Sequence, residues 1–294
     1  MTVQSPVPER LNLAVEALDV FVRYFREWLV WAAPFFVVMG VLSYFMYQDM
    51  IQMVATIGAH KKNHDPNGTA VLEMMWPMLK WLACLMPISV VQHYAYFVFF
   101  TQREVKIGNA ELNVRRFFYY LLYLLVFGFI MFGIELVCGA LVGLSVVALP
   151  KGIGILFAVL FAIALIGVFF FVLVRLIPIS VFAVAKVAPV IELGWRLTKG
   201  SFWRLFGNGL LLAIAFLLVM AVFSLITVLT SVALGIATHE TGGVHVNPVI
   251  GAVKSAVQMT LQAALFISFS CTATRILIDE RRQSDPSFLS NAGR

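Results

Sequence analysis

The chain alternates long apolar runs with short charged ones. A helix that crosses a bilayer needs about 20 predominantly apolar residues, and six stretches meet that length with little or no charge. They are Trp28 to Tyr47, Trp76 to Phe100, Phe117 to Pro150, Gly152 to Val174, Leu205 to Thr238 and Ser255 to Thr274. The second contains Lys80 and the third contains Glu135. The third and fifth are longer than a minimal span, which a tilted helix or one extending past the surface accommodates without a seventh crossing. The pattern predicts an all-α, polytopic membrane protein of six transmembrane helices.

Three charged segments precede the odd-numbered spans and resemble one another: EALDVFVRYFREW, NAELNVRRFFYYL and PVIELGWRLTKGSFW. Each sets an acidic residue four positions before an arginine, Asp19 with Arg23, Glu111 with Arg115 and Glu192 with Arg196. That order and spacing suits an ion pair on one helix face. The segments are also amphipathic, with Glu16, Asp19, Arg23 and Arg26 on one stripe and Leu18, Val22 and Phe25 on another. The expectation is a single membrane domain over 1–294, built as three repeats of an interfacial elbow helix followed by a transmembrane hairpin. The repeats cover about 11–100, 104–178 and 187–278, with a tail at 279–294. Copies that start from the same side of the membrane are related by an axis along its normal.

Composition removes the soluble alternatives. The chain is 61% hydrophobic and 12% charged, with a mean hydropathy of +0.93, well outside the range of water-soluble domains. The net charge of +6 is unevenly placed. Of the 21 basic residues, sixteen fall on the side shared by both termini and the second and fourth loops, and five (Lys61, Lys62, Lys80, Lys151 and Lys254) on the other. Positive charge is retained on the cytoplasmic side, so both termini are expected there. The first 27 residues lack a cleavable signal pattern, and the first span is expected to act as an uncleaved insertion signal. The basic juxtamembrane residues suit anionic lipid headgroups; a nucleic-acid partner is not expected, because the aromatics belong to spans and interfaces rather than to a soluble basic face.

The stretch GWRLTKGSFWRLFG, Gly194 to Gly207, resembles the signature of the membrane domain found in glycerophosphoryl diester phosphodiesterases and in related stand-alone six-span bacterial membrane proteins. Trp195, Arg196, Thr198, Gly200, Phe202, Trp203 and Arg204 carry the match. The resemblance implies a multi-pass protein of the bacterial inner, cytoplasmic membrane with a link to glycerophospholipid metabolism or membrane homeostasis. In fused members the chemistry resides in a separate barrel of roughly 250 residues, and within these 294 residues six spans leave no room for one. What the resemblance implies is a membrane module, not hydrolase activity.

Candidate chemistry is sparse. No phosphate-cradling glycine loop, nucleophile elbow or paired-carboxylate arrangement stands in a water-accessible segment, and neither an enzyme activity nor a cofactor is expected. Glu135 lies deep in a span, where a charge is costly. At ~1.5 Å per residue it is about 27 Å up its helix and Lys80 about 30 Å up the preceding one, so the two are candidates for an intramembrane charge pair. Gln258, Gln262, Ser268, Thr272 and Arg275 form a polar face on the last span, of the kind that hydrogen-bonds across a bundle. His60, His64, His239 and His245 fall in the two longer outer loops, with a spacing too unspecific to define a metal site. Cys84, Cys138 and Cys271 read as packing residues, and His93 as an interior hydrogen-bonding group.

The expected function is that of a non-enzymatic membrane module that engages phospholipid headgroups, or a membrane or cytoplasmic partner protein, at the cytoplasmic face. Arg196, Lys199 and Arg204 are the expected phosphate contacts and Trp195 and Trp203 the aromatic anchors, since guanidinium geometry matches phosphate and tryptophan favours the headgroup level. The alternative is a small transporter or channel with Glu135 and Lys80 in its interior.

Overall fold

A computed structural model of the chain describes residues 13–63, 69–108, 110–148, 151–187, 189–233, 238–240, 243–245, 248–285 and 288. It is built from helices. A short helix α1 (Leu13–Arg23) leads into α2 (Phe25–Asn63), and α3 (Thr69–Phe100) ends in a single π turn, Thr101–Val105. A long hairpin follows, α4 (Val114–Ala148) and α5 (Lys151–Ala185), then the short α6 (Val190–Thr198) and α7 (Phe202–Ala233). Two three-residue antiparallel strands, β1 (Thr238–Glu240) and β2 (Gly243–His245), precede the last helix α8 (Pro248–Ser284).

Six of these helices are long and apolar enough to cross a membrane: Phe25–Asp49, Leu79–Val105, Val114–Leu141, Ile155–Ala185, Phe202–Leu229 and Pro248–Ser284. The chain is a multi-pass, all-α membrane protein, as the apolar runs predict. At the start of α2 and the end of α8 charged residues continue the helix beyond its apolar run, with Asp/Glu near N-termini and Lys/Arg near C-termini favoured by the helix dipole. Glu27 in the first turn of α2 and Arg281 and Arg282 in the last turn of α8 follow that rule.

Short helices stand at two of the three positions where elbow helices are expected. α1 and α6 are short, separate and amphipathic, and each has three faces rather than two. On α1 the small and apolar residues Leu13, Ala14, Ala17 and Val20 are buried, while Val15, Leu18 and Val22 are exposed beside the charges. On α6 the buried set is Val190, Leu193, Gly194, Leu197 and Thr198, with Ile191 and Trp195 exposed. The middle elbow requires correction: among the described residues between the π turn and Val114 there is no helix. Lys106 adopts the left-handed region (φ 51°, ψ 34°) and ends the π turn, and Gly108 is left-handed again. Gln102 Nε2 then donates to Ala110 O at 2.5 Å and holds the chain open. Asn113 Oδ1 accepts from Arg115 N at 2.8 Å, a cap that starts α4 only there. In this segment Glu111 faces Arg116 at 3.6 Å.

Packing divides the chain into two compact units whose boundaries cut through helices rather than between repeats. The first comprises Met1–Val20, Phe97–Leu210 and Ile267–Arg294, the second Phe21–Tyr96 and Leu211–Phe266. In the second, Trp28 is fully buried against Phe21, Phe36 and Tyr96, and Gly251 leaves room for the Tyr47 ring. In the first, α6 presses against α5 so closely at Gly194 that an added Cβ would overlap the Ile179 side chain. Before Val174, the α4–α5 hairpin is largely open, with Phe129, Phe132, Leu136, Ile155, Ile163 and Ile166 among its exposed apolar side chains, which is the surface a hydrocarbon solvent covers.

Candidate functional site

The signature segment folds as a corner. Lys186, left-handed at φ 56°, ends α5, and Pro189 in extended conformation starts α6, a position proline tolerates because the first N–H groups of a helix lack partners anyway. Glu192 in the first turn and Arg196 in the last match the helix dipole and face each other at 3.9 Å. The helix ends at Thr198, Gly200 turns at φ 85°, and α7 begins at Phe202 with Ser201 N donating to Thr198 O at 3.1 Å.

Inside this corner sits Arg175 of α5, which is 8% exposed. Its Nη1 donates to Trp195 O at 3.0 Å and to Thr198 Oγ1 at 2.5 Å, while Thr198 Oγ1 donates back to Gly194 O at 3.0 Å. Its guanidinium carbon is 4.5 Å from the centroid of the Trp195 ring and 5.1 Å from that of Phe171. The aromatic contacts continue through Phe202, which meets Phe171 at 5.5 Å and stacks on Phe206 at 5.8 Å. Trp195 and Thr198 of the signature thus hold an arginine 20 residues upstream of Trp195, which the motif itself does not contain.

The predicted headgroup residues lie on the outside of the same corner. Trp203 is 77% exposed and Trp195 48% exposed. Arg196 and Lys199 are exposed, and their backbone carbonyls accept from Arg281 Nη2 of α8 at 3.5 and 2.8 Å. Arg196 also lies 5.7 Å over the Phe288 ring. Arg204 differs, since its Nη1 is 2.6 Å from Glu280 Oε1 and part of its charge is thereby engaged. Asn208 closes the corner, donating to Arg204 O at 2.8 Å and accepting from Ala14 N of α1 at 3.3 Å.

A second polar cluster in the same unit was not legible as a site. Arg275 of α8 bridges Glu104 of the π turn, at 2.6 Å from Nη1, and Glu16 of α1 through Nη2. The Glu104 side chain is only 3% exposed, and Glu16 Oε2 is buried without a hydrogen bond. Above it Thr101 Oγ1 and Cys271 Sγ are 3.7 Å apart, and Ser268 Oγ donates to Ala17 O at 2.9 Å. Of the polar face of the last span, Ser268 and Arg275 therefore meet α1 and the π turn, Thr272 is buried and Gln262 is exposed. The signal for Glu104 is an acidic residue directly after an apolar run in a basic segment; its partners lie 171 positions away from it along the chain, beyond the reach of local pattern.

Lys80 pairs in the second unit with Asp49, Nζ to Oδ2 2.9 Å, and Trp81 Nε1 donates to the same oxygen at 2.8 Å. Asp49 ends one span and Lys80 begins the next. The side chain of Glu135, the other member of the expected intramembrane pair, lies outside the described residues, as do those of Cys138 and the four outer-loop histidines. His93 Nδ1 is 2.6 Å from Ser89 O, the expected interior hydrogen bond. Cys271 is buried and Cys84 is exposed. Among the described residues no three His, Cys, Asp or Glu side chains converge as metal ligands. No family model, curated protein or solved structure matches the chain.

Proposed function

We propose that this chain is a non-enzymatic membrane module that engages phospholipid headgroups, or a partner protein, at the α6–α7 corner, and that this corner faces the cytoplasm of a bacterial inner membrane. The observation that carries the reading is the joint exposure of Arg196 and Lys199 with Trp195 and Trp203 where an amphipathic helix meets the start of an apolar span. Cations there attract phosphate and tryptophan rings settle among headgroups. The resemblance of Gly194 to Gly207 to the phosphodiesterase membrane domain supports a glycerophospholipid context.

The test is lipid retention by the full chain, measured by native mass spectrometry after gentle extraction. Arg196→Gln with Lys199→Gln is expected to weaken retention of anionic phospholipid, and adding Arg204→Gln to contribute less because Glu280 already holds that guanidinium. Unchanged retention in the triple variant would remove the surface residues from the reading. Solute flux in proteoliposomes that Glu135→Gln abolishes would favour a transporter instead.

A further inference from the structure

Arg116, Arg196, Arg204 and Arg275 each face a carboxylate within 4 Å. Arg175 is more buried than any of them, and among the described residues no carboxylate pairs with it. A guanidinium stays charged in proteins, and a buried charge without a counter-charge costs several kcal/mol. The carbonyl end of α6, met at Trp195 O, offers only the partial negative charge of a helix terminus.

The unused hydrogen-bond capacity has a definite shape. Both of the Arg175 hydrogen bonds leave from Nη1. Nε is buried with no acceptor, and the N–H groups of Nε and Nη2 point to the same side of the planar group, forming the fork that receives two oxygens of a carboxylate or phosphate. The Trp195 and Phe171 ring centroids lie 4.5 and 5.1 Å from the guanidinium carbon and favour a cation but do not neutralise it.

We infer that the Nε and Nη2 fork of Arg175 is a phosphate-binding site, occupied by the phosphodiester of a bilayer phospholipid that enters past the half-exposed Trp195 ring. The inference rests on the headgroup reading above and deepens it: Arg175 receives the phosphate, Thr198 and Trp195 O fix the guanidinium from its other end, and Arg196 and Lys199 lie outside. The phosphate oxyanion is the chemistry required. A lipid is its source at this place because the corner joins two apolar spans, where phospholipid headgroups are the abundant anions.

The experiment uses the full chain, purified and delipidated in mild detergent. Its melting temperature and bound mass are followed with dioctanoyl phosphatidylglycerol, with dioctanoylglycerol, which lacks the phosphate, and with inorganic phosphate. The phospholipid should be retained one to one and raise the melting temperature by mass action, and dioctanoylglycerol should do neither. Arg175→Lys keeps the charge but has no fork, so its apparent affinity should fall by at least about tenfold, a larger loss than in Arg196→Gln with Lys199→Gln, which removes only charges outside the fork. Wild-type affinity in Arg175→Lys overturns the proposal, and so does a wild-type chain that retains no phospholipid, whether or not the variant folds. Binding of inorganic phosphate that depends on Arg175 and is indifferent to the lipid overturns the lipid as occupant. Loss of all retention in the surface pair with Arg175→Lys unaffected leaves the headgroup reading standing and removes the buried site alone.

Discussion

Three glycines in the first unit make different demands, and the differences rank their substitutions. At Gly108 the backbone is left-handed and an added Cβ would overlap the carbonyl oxygen of Ala185, which is main chain and has little freedom to give way. At Gly194 the obstacle is the Ile179 side chain, a case of overpacking that costs about 1–3 kcal/mol. At Gly200 the surroundings are open and only the positive φ of 85° opposes alanine, at about 1–2 kcal/mol. Reversible unfolding in mixed micelles should rank the losses Gly108→Ala, then Gly194→Ala, then Gly200→Ala; an equal loss at all three would show that conformation alone decides. Two of these glycines stand in the signature segment, and the sequence marks their positions without their reasons. Contact with Ile179 and the hold on Arg175 are facts of packing, and a motif of neighbouring residues cannot contain them.

Elements are tied together in the first unit by one guanidinium with two carboxylates. Arg275 joins α8 to α1 through Glu16 and to the π turn through Glu104. Arg275→Met leaves Glu104 buried without its counter-charge and should cost about 3–5 kcal/mol. Replacing both partners, Glu104→Gln with Arg275→Gln, should recover part of that loss, and a double-mutant cycle read by the same unfolding assay measures the coupling. Strict additivity of the two single losses would contradict a shared pair. The apolar runs were enough to place every long helix, because period and length are local properties of the chain. The middle elbow was misread for a physical reason: its acid and arginine spacing imitates its neighbours, but a left-handed Lys106, a left-handed Gly108 and the Asn113 cap leave no helix-forming stretch before Val114. Asn113→Ala, which removes the cap, should lower stability by about 1 kcal/mol, with unfolding of the variant as the check.

At the scale of the molecule, the six crossings were legible and their charge partners were not. Height along the spans matches Lys80 to Glu135, whose side chain lies outside the described residues; the carboxylate Lys80 meets in the second unit is Asp49, which terminates the preceding span and so falls outside a search for charges deep in spans. The basic-residue asymmetry makes a separate prediction about orientation. A cysteine placed at Asn67, between the first two spans in sequence, should react with an impermeant maleimide in intact cells, and one placed at Arg282 only after the membrane is opened. The reverse pattern would turn the corner, and the proposed headgroup contacts, to the other side. The bare α4–α5 hairpin bears on biogenesis. Before Val174 its two strongly apolar spans draw little cover from the rest of the chain, so the translocon can release them into lipid as they emerge. α8, by contrast, buries Ser268, Ser270, Thr272 and Thr274, groups that hydrocarbon disfavours, and its Ser268 and Arg275 find their partners on α1 and the π turn. α8 is synthesised long after the α1 and π-turn residues it meets, so a ribosome stalled before α8 would hold an inserted chain whose Glu16 and Glu104 still lack Arg275.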